Sequence, residues 1–412
     1  MISYDEALDI LMSEGACRNT ETLALSSTVG RVAAQAIDSP RNLPSFDNSA
    51  MDGYAVRQAD CRLASPQKPA GLNIAGLVTA GSKPQLPTDL RGKAVQIMTG
   101  APIPEGFDAV IPIERVTSAN NRLLTPYAPE TSENIRRIGE DLIAGTRILR
   151  AHEQITAEKL MLCAAAGVFA VEVFRRPKLY VISTGDEVSE SSAALDDKTK
   201  IFDANGPYLL AAAAREGIPC DFAGRINDTP GQLRAKLETI PPGSVIVSTG
   251  GVSAGVHDFV RGVLEKAGAE ILFHKAAIKP GKPVLFAKLE NGSYFFGLPG
   301  NPAAAAVGFR FFVLPLYRAL QELPVERPLT GRLNAPVTRK PDLTLFLKAS
   351  VTLDPDNGLW VDPLDGQESF KIHSLAQANA FIKLTGKCTR LTISTYVDVY
   401  PLSAQFPFLE KL

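Results

Sequence analysis

The residues best suited to chemistry cluster in short loops. The segment 248–255, S-T-G-G-V-S-A-G, joins an apolar run to a helical one and contains Ser248, Thr249, Gly250, Gly251, Ser253 and Gly255. Glycine lets backbone N–H groups approach an anion closely, and a helix start adds a favourable dipole. The string is neither a Walker A loop nor G-x-G-x-x-G, and an ordinary tight strand-to-helix turn would read much the same. Carboxylates sit at comparable places: Asp186 and Glu187 follow another Ser-Thr-Gly, Asp228 follows a short strand, and Asp258 lies just beyond the glycines. Each alone reads better as a helix cap or a solvated turn. If the strands are parallel, all four gather at one edge, where carboxylates meeting phosphates imply a hard cation, most simply Mg2+.

Lys275, Lys279 and Lys282 lie in H-K-A-A-I-K-P-G-K-P, stiffened by Pro280 and Pro283, a pattern that suits an oxyanion or a phosphate. Single lysines are mostly surface decoration, so the cluster is what counts. Next comes Gly297-Leu298-Pro299-Gly300-Asn301-Pro302, with Asn301 placed as N-cap and Pro302 in the first helical turn. A cap alone explains Asn301 and Pro302, whereas Pro299 and Gly300 suggest a shaped wall. His152, His257, His274 and His373 show no metal-pair spacing, and no nucleophilic triad or motif for flavin, nicotinamide or haem is present. The chemistry expected is therefore phosphate or oxyanion transfer by a carboxylate-held metal, lysines and backbone donors.

At 412 residues the chain exceeds what one core organises, so several domains are expected. Hydrophobic residues at 45% and charged residues at 21% are ordinary for a globular protein. A net charge of -1 offers no electrostatic reason for nucleic acid or a membrane surface as partner. The five cysteines are scattered without C-x-x-C, which suits a reducing compartment rather than a disulfide frame or structural zinc. The acidic start M-I-S-Y-D-E is unlike a signal peptide, and a cytoplasmic location is expected.

Ser3 and Glu6 form a capping box that opens a helix. Residues 41–54 are dense in turn formers, and short strands broken by Pro and Gly run to about 139, for example 94–98 and 109–114. A helix is predicted over 156–166 with Thr156 as cap. From 177 apolar strands (179–183, 244–248, 269–273, 294–297) alternate with helices (207–216, 229–239, 257–267 and a long one from 302 to about 322). This alternation predicts a doubly wound, mostly parallel α/β sheet. The strings V-I-S-T-G (181–185) and V-I-V-S-T-G (245–250) place Ser-Thr-Gly at strand carboxyl ends, where such sheets bind ligands. Strand texture at 329–337, 343–353, 358–361 and 389–400 predicts a small β barrel or sandwich.

Taken together, P-S-F-D-N-S-A-M-D-G-Y-A-V (44–56), M-T-G-A-P-I-P-E-G-F-D-A-V-I-P-I-E (98–114), N-I-R-R-I-G-E-D (134–141), V-I-S-T-G-D-E-V (181–188), D-A-N-G-P-Y-L (203–209), S-T-G-G-V-S-A-G-V-H-D-F-V (248–260), I-K-P-G-K-P and G-L-P-G-N-P resemble the molybdopterin molybdenumtransferases, MoeA-type proteins related to the E domain of gephyrin. The resemblance implies a dimer of four-domain subunits. These domains are an elongated N-terminal α+β region (1–45 and 140–176), an inserted β-rich domain (46–139), a MogA-like molybdopterin-binding α/β domain (177–326) and a C-terminal β-barrel (327–412). It implies transfer of molybdenum from molybdate into adenylated molybdopterin, with a divalent cation and release of AMP.

Carried over by position, Asp52 and Thr99 complete the site from the partner subunit, and Asp52 polarises water or the cation. Glu187, Asp228 and Asp258 are the acidic positions, with Asp228 or Asp258 holding the cation or orienting the pterin. Lys275 and Lys279 attract molybdate or the phosphate, and Pro299 and Pro302 contact substrate. Implied partners are the molybdopterin adenylyltransferase and the downstream molybdoenzyme machinery. The chain departs from the family pattern at 339–348, 366–369 and 374–380, where Glu368 adds negative charge; the resemblance therefore does not carry a role in oxyanion entry over to Ser369 or Lys348 and leaves it open. Two rival readings are a pterin-binding scaffold without turnover, which would bind adenylated pterin but release no AMP, and a generic nucleotide-binding α/β protein, which would bind free ATP.

Overall fold

The apolar strands beyond residue 177 do assemble into one sheet. The computed structural model describes residues 1–16, 19–82, 87–251, 259–354, 358–386 and 389–402. Two compact units result, one of Met1–Thr20 with Phe174–Leu412 and one of Glu21–Val173.

In the first unit six strands form the sheet: β1 (Leu179–Thr184), β2 (Cys220–Ile226), β3 (Val245–Thr249), β4 (Glu270–His274), β5 (Leu285–Lys288) and β6 (Tyr294–Leu298). Their order is β2-β1-β3-β6-β5-β4; β2, β1, β3 and β6 are parallel, and β5 runs against both β6 and β4. Strand β5 was not among the strands predicted: its four residues sit close behind the Pro-rich lysine loop, where turn signals dominate. Alternate side chains divide between two cores. Val181, Val247 and Phe296 pack with Leu209 and Ala213 on one face, while Ile182, Ile246 and Phe295 pack with Leu233, Val263 and Leu264 on the other. The sheet is thus covered on both sides, as its continuous apolar strands require.

Helix Tyr4–Ser13 begins with the expected capping box, and its Tyr4, Ala7 and Leu11 join the first of these cores. Helix Pro230–Thr239 lacks the predicted Thr229 side-chain cap; the Asn227 N–H instead donates to Gln232 Oε1 at 2.7 Å. The single long helix predicted from 302 is broken into Pro302–Gly308, a π-helical turn Phe309–Val313 and Leu314–Ala319. Pro315 explains the break, because it has no N–H to return to the Phe311 carbonyl and its ring crowds that turn.

The C-terminal strands close a five-membered barrel. Thr344–Asp354 pairs with both Gly358–Pro363 and Ala380–Leu384, and the ring is completed through Leu329–Leu333 and Tyr396–Pro401. The strand Ala380–Leu384, unmarked in the sequence reading, is the one that closes it. Barrel and α/β domain share an aromatic seam, in which Phe311 stacks on Phe346 at 3.9 Å between centroids and Tyr4 meets Phe346 edge-on at 5.2 Å. Beside them the buried Arg310 forks onto both Glu326 carboxylate oxygens at 2.7 Å and donates to the Pro401 carbonyl at 2.9 Å.

The second unit contains a six-stranded sheet in the spatial order Ala109–Pro112, Gly53–Val56, Lys93–Ile97, Ala70–Val78, Arg122–Thr125, Thr117–Ala119. Its two faces carry separate cores, one around Tyr54, Leu72 and Ile111, the other around Val78, Val95 and Phe107. A further core gathers Leu25, Ile148, Leu149 and Val173 under helix Ala157–Ala166, which Thr156 caps through Lys159 N–H and Gly167 ends at φ 85°. Among the described residues no helix is long and apolar enough to cross a membrane.

Breaking the Arg310–Glu326 fork leaves a carboxylate without its partner in a mostly apolar seam. Arg310→Ala is expected to cost about 3 kcal/mol, the lower end for a buried pair because Glu326 is partly exposed. Arg310→Met with Glu326→Leu should recover much of this loss, since the charge left behind is removed as well. Urea unfolding followed by the single tryptophan, Trp360 of the barrel, reads both changes.

Candidate active site

The order β2-β1-β3 reverses direction at β1, and the crevice between β1 and β3 is where an open α/β sheet offers loop ends to a ligand. A cavity of ≈ 550 Å³ lies there. Its floor comes from the carboxyl ends of β1 and β3 through Ser183, Thr184, Thr249, Gly250 and Gly251, and one wall from Gly300, Asn301 and Pro302 after β6.

The two strand ends touch. Thr184 Oγ1 donates to the Thr249 carbonyl at 3.1 Å, and the Gly250 N–H donates to the Leu298 carbonyl at 2.9 Å. Gly250 has φ +98°, and a Cβ there would lie 2.6 Å from Thr184 Oγ1 and 2.8 Å from the Thr184 carbonyl oxygen. Backbone conformation and close approach both demand glycine at this point.

Of the acidic positions expected, Glu187 and Asp228 line this cavity together. Asp186 supports them from behind, accepting from the Asp228 N–H at 3.3 Å. Asp258, Ser253 and Gly255 lie outside the described residues. Ser248 is fully buried beneath the floor, and its Oγ has no partner among the described residues. Pro299 is also buried, whereas Gly300, Asn301 and Pro302 reach the cavity. Asn301 is the N-cap of Pro302–Gly308 by backbone conformation, without a side-chain capping bond. The helix start is less open than predicted, because the Ala303 N–H already donates to the Ser369 carbonyl at 3.0 Å.

Lys275 and Lys279 do not appear among the residues lining the cavity. Lys275 has φ 72°, uncommon for a side-chain-bearing residue, and is pinned on both sides: its N–H donates to the Val284 carbonyl at 2.8 Å and its carbonyl accepts from the Ile2 N–H at 3.1 Å. Lys279 is exposed on the short strand Ile278–Lys279, which pairs with Thr344 and Leu345 of the barrel. In the other unit Asp52 and Thr99, 47 residues apart in sequence, do meet. Asp52 Oδ1 accepts from the Thr99 N–H at 2.7 Å and from Thr99 Oγ1 at 2.9 Å. The backbone donor first and the hydroxyl second hold this exposed carboxyl below the usual carboxylate range.

Several contributors escaped the sequence reading. Asp203 Oδ2 accepts from Ser183 Oγ at 2.5 Å, and its Oδ1 accepts from the N–H groups of Asn205 and Gly206 at 3.0 and 2.9 Å. Asn205 Nδ2 then donates to the Gly300 carbonyl at 2.8 Å, tying two cavity walls together. The D-A-N-G string ahead of the Ala-rich helix was the available signal. Phe370 and Ile372 of the barrel also line the cavity, and no pattern in their neighbourhood marks them. Chemically the arrangement offers hard oxygen donors and a glycine floor. No group of three or more His, Cys, Asp or Glu side chains suited to a metal occurs among the described residues.

Comparison with known proteins follows this architecture. Residues 2–167 match the MoeA N-terminal region (domain I and II), 180–319 a probable molybdopterin binding domain, and 330–402 the MoeA C-terminal region (domain IV). A molybdopterin molybdenumtransferase of Synechococcus elongatus is 35% identical over 407 residues, covering 98% of this chain and 100% of its own length. One from Bacillus subtilis is 33% identical over 392 residues, covering 93% and 90%. The crystal structure of a molybdopterin biosynthesis MoeA protein from Pyrococcus horikoshii superposes with a TM-score of 0.78 at 30% identity, covering 98% of this chain and 100% of that one. With similarity running from end to end and all three regions in the same order, the chain belongs to the molybdopterin molybdenumtransferase family.

Proposed function

We propose that the chain transfers molybdenum from molybdate into adenylated molybdopterin, releasing AMP and the molybdenum cofactor. The observation that carries this reading is the cavity at the β1/β3 crevice, which combines a glycine floor, two carboxylates and a volume of ≈ 550 Å³ suited to a small molecule. The glycines let backbone N–H groups meet a phosphate. Glu187 and Asp228 can accept hydrogen bonds from the exocyclic amino group and ring N–H of a pterin. Lys275 and Lys279 are assigned the attraction of the oxyanion or phosphate, on the family strings and on charge.

The donor set fits a hard cation such as Mg2+, because that ion is commonly held by one or two carboxylates together with substrate oxygens. Asp228 and Asp258 are the residues that would hold it, Asp228 then serving the cation instead of the pterin, and it would neutralise charge on the phosphoanhydride. Asp52 and Thr99 belong to the same reaction by their family strings, supplied by the second copy in a homodimer. The expected setting is the cytoplasm. There the adenylyltransferase that makes the substrate and the molybdoenzyme machinery that takes the product are the natural partners.

Purified chain mixed with adenylated molybdopterin, molybdate and Mg2+ should release AMP. Binding without AMP release would instead establish a scaffold, and turnover by a strictly monomeric chain would remove the dimer from the mechanism. Asp228→Asn keeps the volume and loses the charge, so AMP release is expected to fall on the order of a hundredfold with the melting temperature unchanged. An undiminished rate would sink the role of Asp228.

The Asp52–Thr99 contact makes a separate prediction. Thr99→Val removes the hydroxyl donor and keeps the backbone N–H, which is the larger cause of the lowered pKa. In a carboxyl NMR titration the Asp52 midpoint should therefore move up yet stay below that of an ordinary aspartate. A midpoint that does not move would mean that the hydroxyl contributes nothing.

A further inference from the structure

The cavity lining mixes polar groups with exposed apolar side chains. Four large apolar side chains stand exposed around it: Ile201 at 57%, Phe202 at 49%, Phe370 at 63% and Ile372 at 46%. Scattered exposed apolar residues are ordinary, but four around one concavity that Glu187 and Asp228 also line are not. At ≈ 550 Å³ the space is too small for a helix or strand and right for a small molecule. Apolar side chains beside hydrogen-bond acceptors match a planar heteroaromatic ring, whose faces are apolar and whose edge carries N–H groups.

Two of these side chains come from the barrel, on the loop that follows Gly358–Pro363, and this loop is held with unusual care. Lys348, in the middle of Thr344–Asp354, is only 2% exposed. Its ammonium donates to the carbonyls of Gly366 at 2.6 Å, Lys371 at 3.1 Å and Glu368 at 3.4 Å, one acceptor for each proton. Gln367 clips the same loop to the strand, donating to the Lys348 carbonyl at 2.8 Å and accepting from its N–H at 3.0 Å. The Ser369 carbonyl accepts from Ala303 at the start of the cavity-wall helix. Burial pushes the Lys348 ammonium below its ordinary pKa, so the site carries a desolvation cost that an aliphatic residue would avoid. Three directed donors are what only the ammonium supplies.

We infer that Phe370 and Ile372, with Ile201 and Phe202, form an apolar slot for the planar ring system of the substrate, and that Lys348 is a positioning residue that fixes the barrel's half of that slot. The inference rests on the proposed function, since it takes the ring to be part of adenylated molybdopterin. It also accounts for Lys348 without the oxyanion, because all three of its protons are engaged.

The full-length chain is compared with Phe370→Ala, Phe370→Tyr, Lys348→Met and the double variant Lys348→Met/Phe370→Ala. Binding of adenylated molybdopterin is read by pterin fluorescence, and steady-state AMP release by its KM and kcat. Phe370→Ala should weaken binding and raise KM about tenfold, the scale of one aromatic stacking contact, with kcat changed less than about twofold, while Phe370→Tyr stays near wild type. Lys348→Met should raise KM in the same sense and speed tryptic cleavage after Lys371, and the double variant should be no worse than Phe370→Ala alone. Wild-type affinity in Phe370→Ala overturns the slot, and additive effects in the double variant overturn the positioning role. If Lys348→Met does not fold, the two Phe370 variants still decide the slot. A wild-type chain that binds no adenylated molybdopterin overturns the functional reading itself, which variants indifferent beside an active wild type would leave standing.

Discussion

The stacking of Phe311 on Phe346 is the contact on which the first unit's geometry turns. The broken helix that carries Phe311 starts at the cavity wall with Asn301 and Pro302, so whatever holds its far end also holds that wall. The helix is enclosed on all sides, with Ala303–Gly308 and then Phe309–Val313 of the π-helical turn all buried, as a helix through the middle of a core requires. Arg310 is tolerated there because Glu326 neutralises it and the Pro401 carbonyl takes a further proton. Barrel and α/β domain thereby share one continuous core, and the barrel loop reaches the cavity in a defined position.

The cavity follows from sheet topology more than from any single residue. Parallel strands present their carboxyl ends on one side, and the reversal of order between β2 and β3 leaves a crevice that no crossover fills. Glycine at 250 lets β3 turn away within van der Waals reach of Thr184, so the floor is backbone rather than side chain. Asp203 and Asn205 then lace the loops together with bonds of 2.5–3.0 Å. Polar and apolar lining residues come from both the sheet loops and the barrel loop.

Membership of the molybdopterin molybdenumtransferase family and this cavity are consistent with one another without being the same statement. Family strings run along the whole chain, whereas the cavity draws on the first unit alone. The Asp52–Thr99 pair belongs to the second unit and is organised locally, by a backbone and a hydroxyl donor, before any substrate is considered. A carboxylate already satisfied in this way is poised as an anion across the neutral range.

Much was legible in the sequence because local rules wrote it there. The Ser3–Glu6 capping box, the Thr156 cap, the apolar strands beyond 177 and the Ser-Thr-Gly strand ends all depend on residues within a few positions of one another. Of the four carboxylates expected at one edge of a parallel sheet, Glu187 and Asp228 line one cavity, Asp186 bonds to the Asp228 N–H and Asp258 lies outside the described residues. Hidden were the short reversed strand β5, the barrel-closing strand Ala380–Leu384, the π-helical break, the engagement of Ala303 by Ser369 and the place of Phe370 at the cavity. By itself the sequence determined the family, the α/β alternation and the Ser-Thr-Gly composition of the strand ends, because periodicity, capping and motif spacing are short-range properties. Only the tertiary structure decided which loops share a cavity and which carbonyls the buried Lys348 holds, because those depend on contacts between segments that the chain leaves apart.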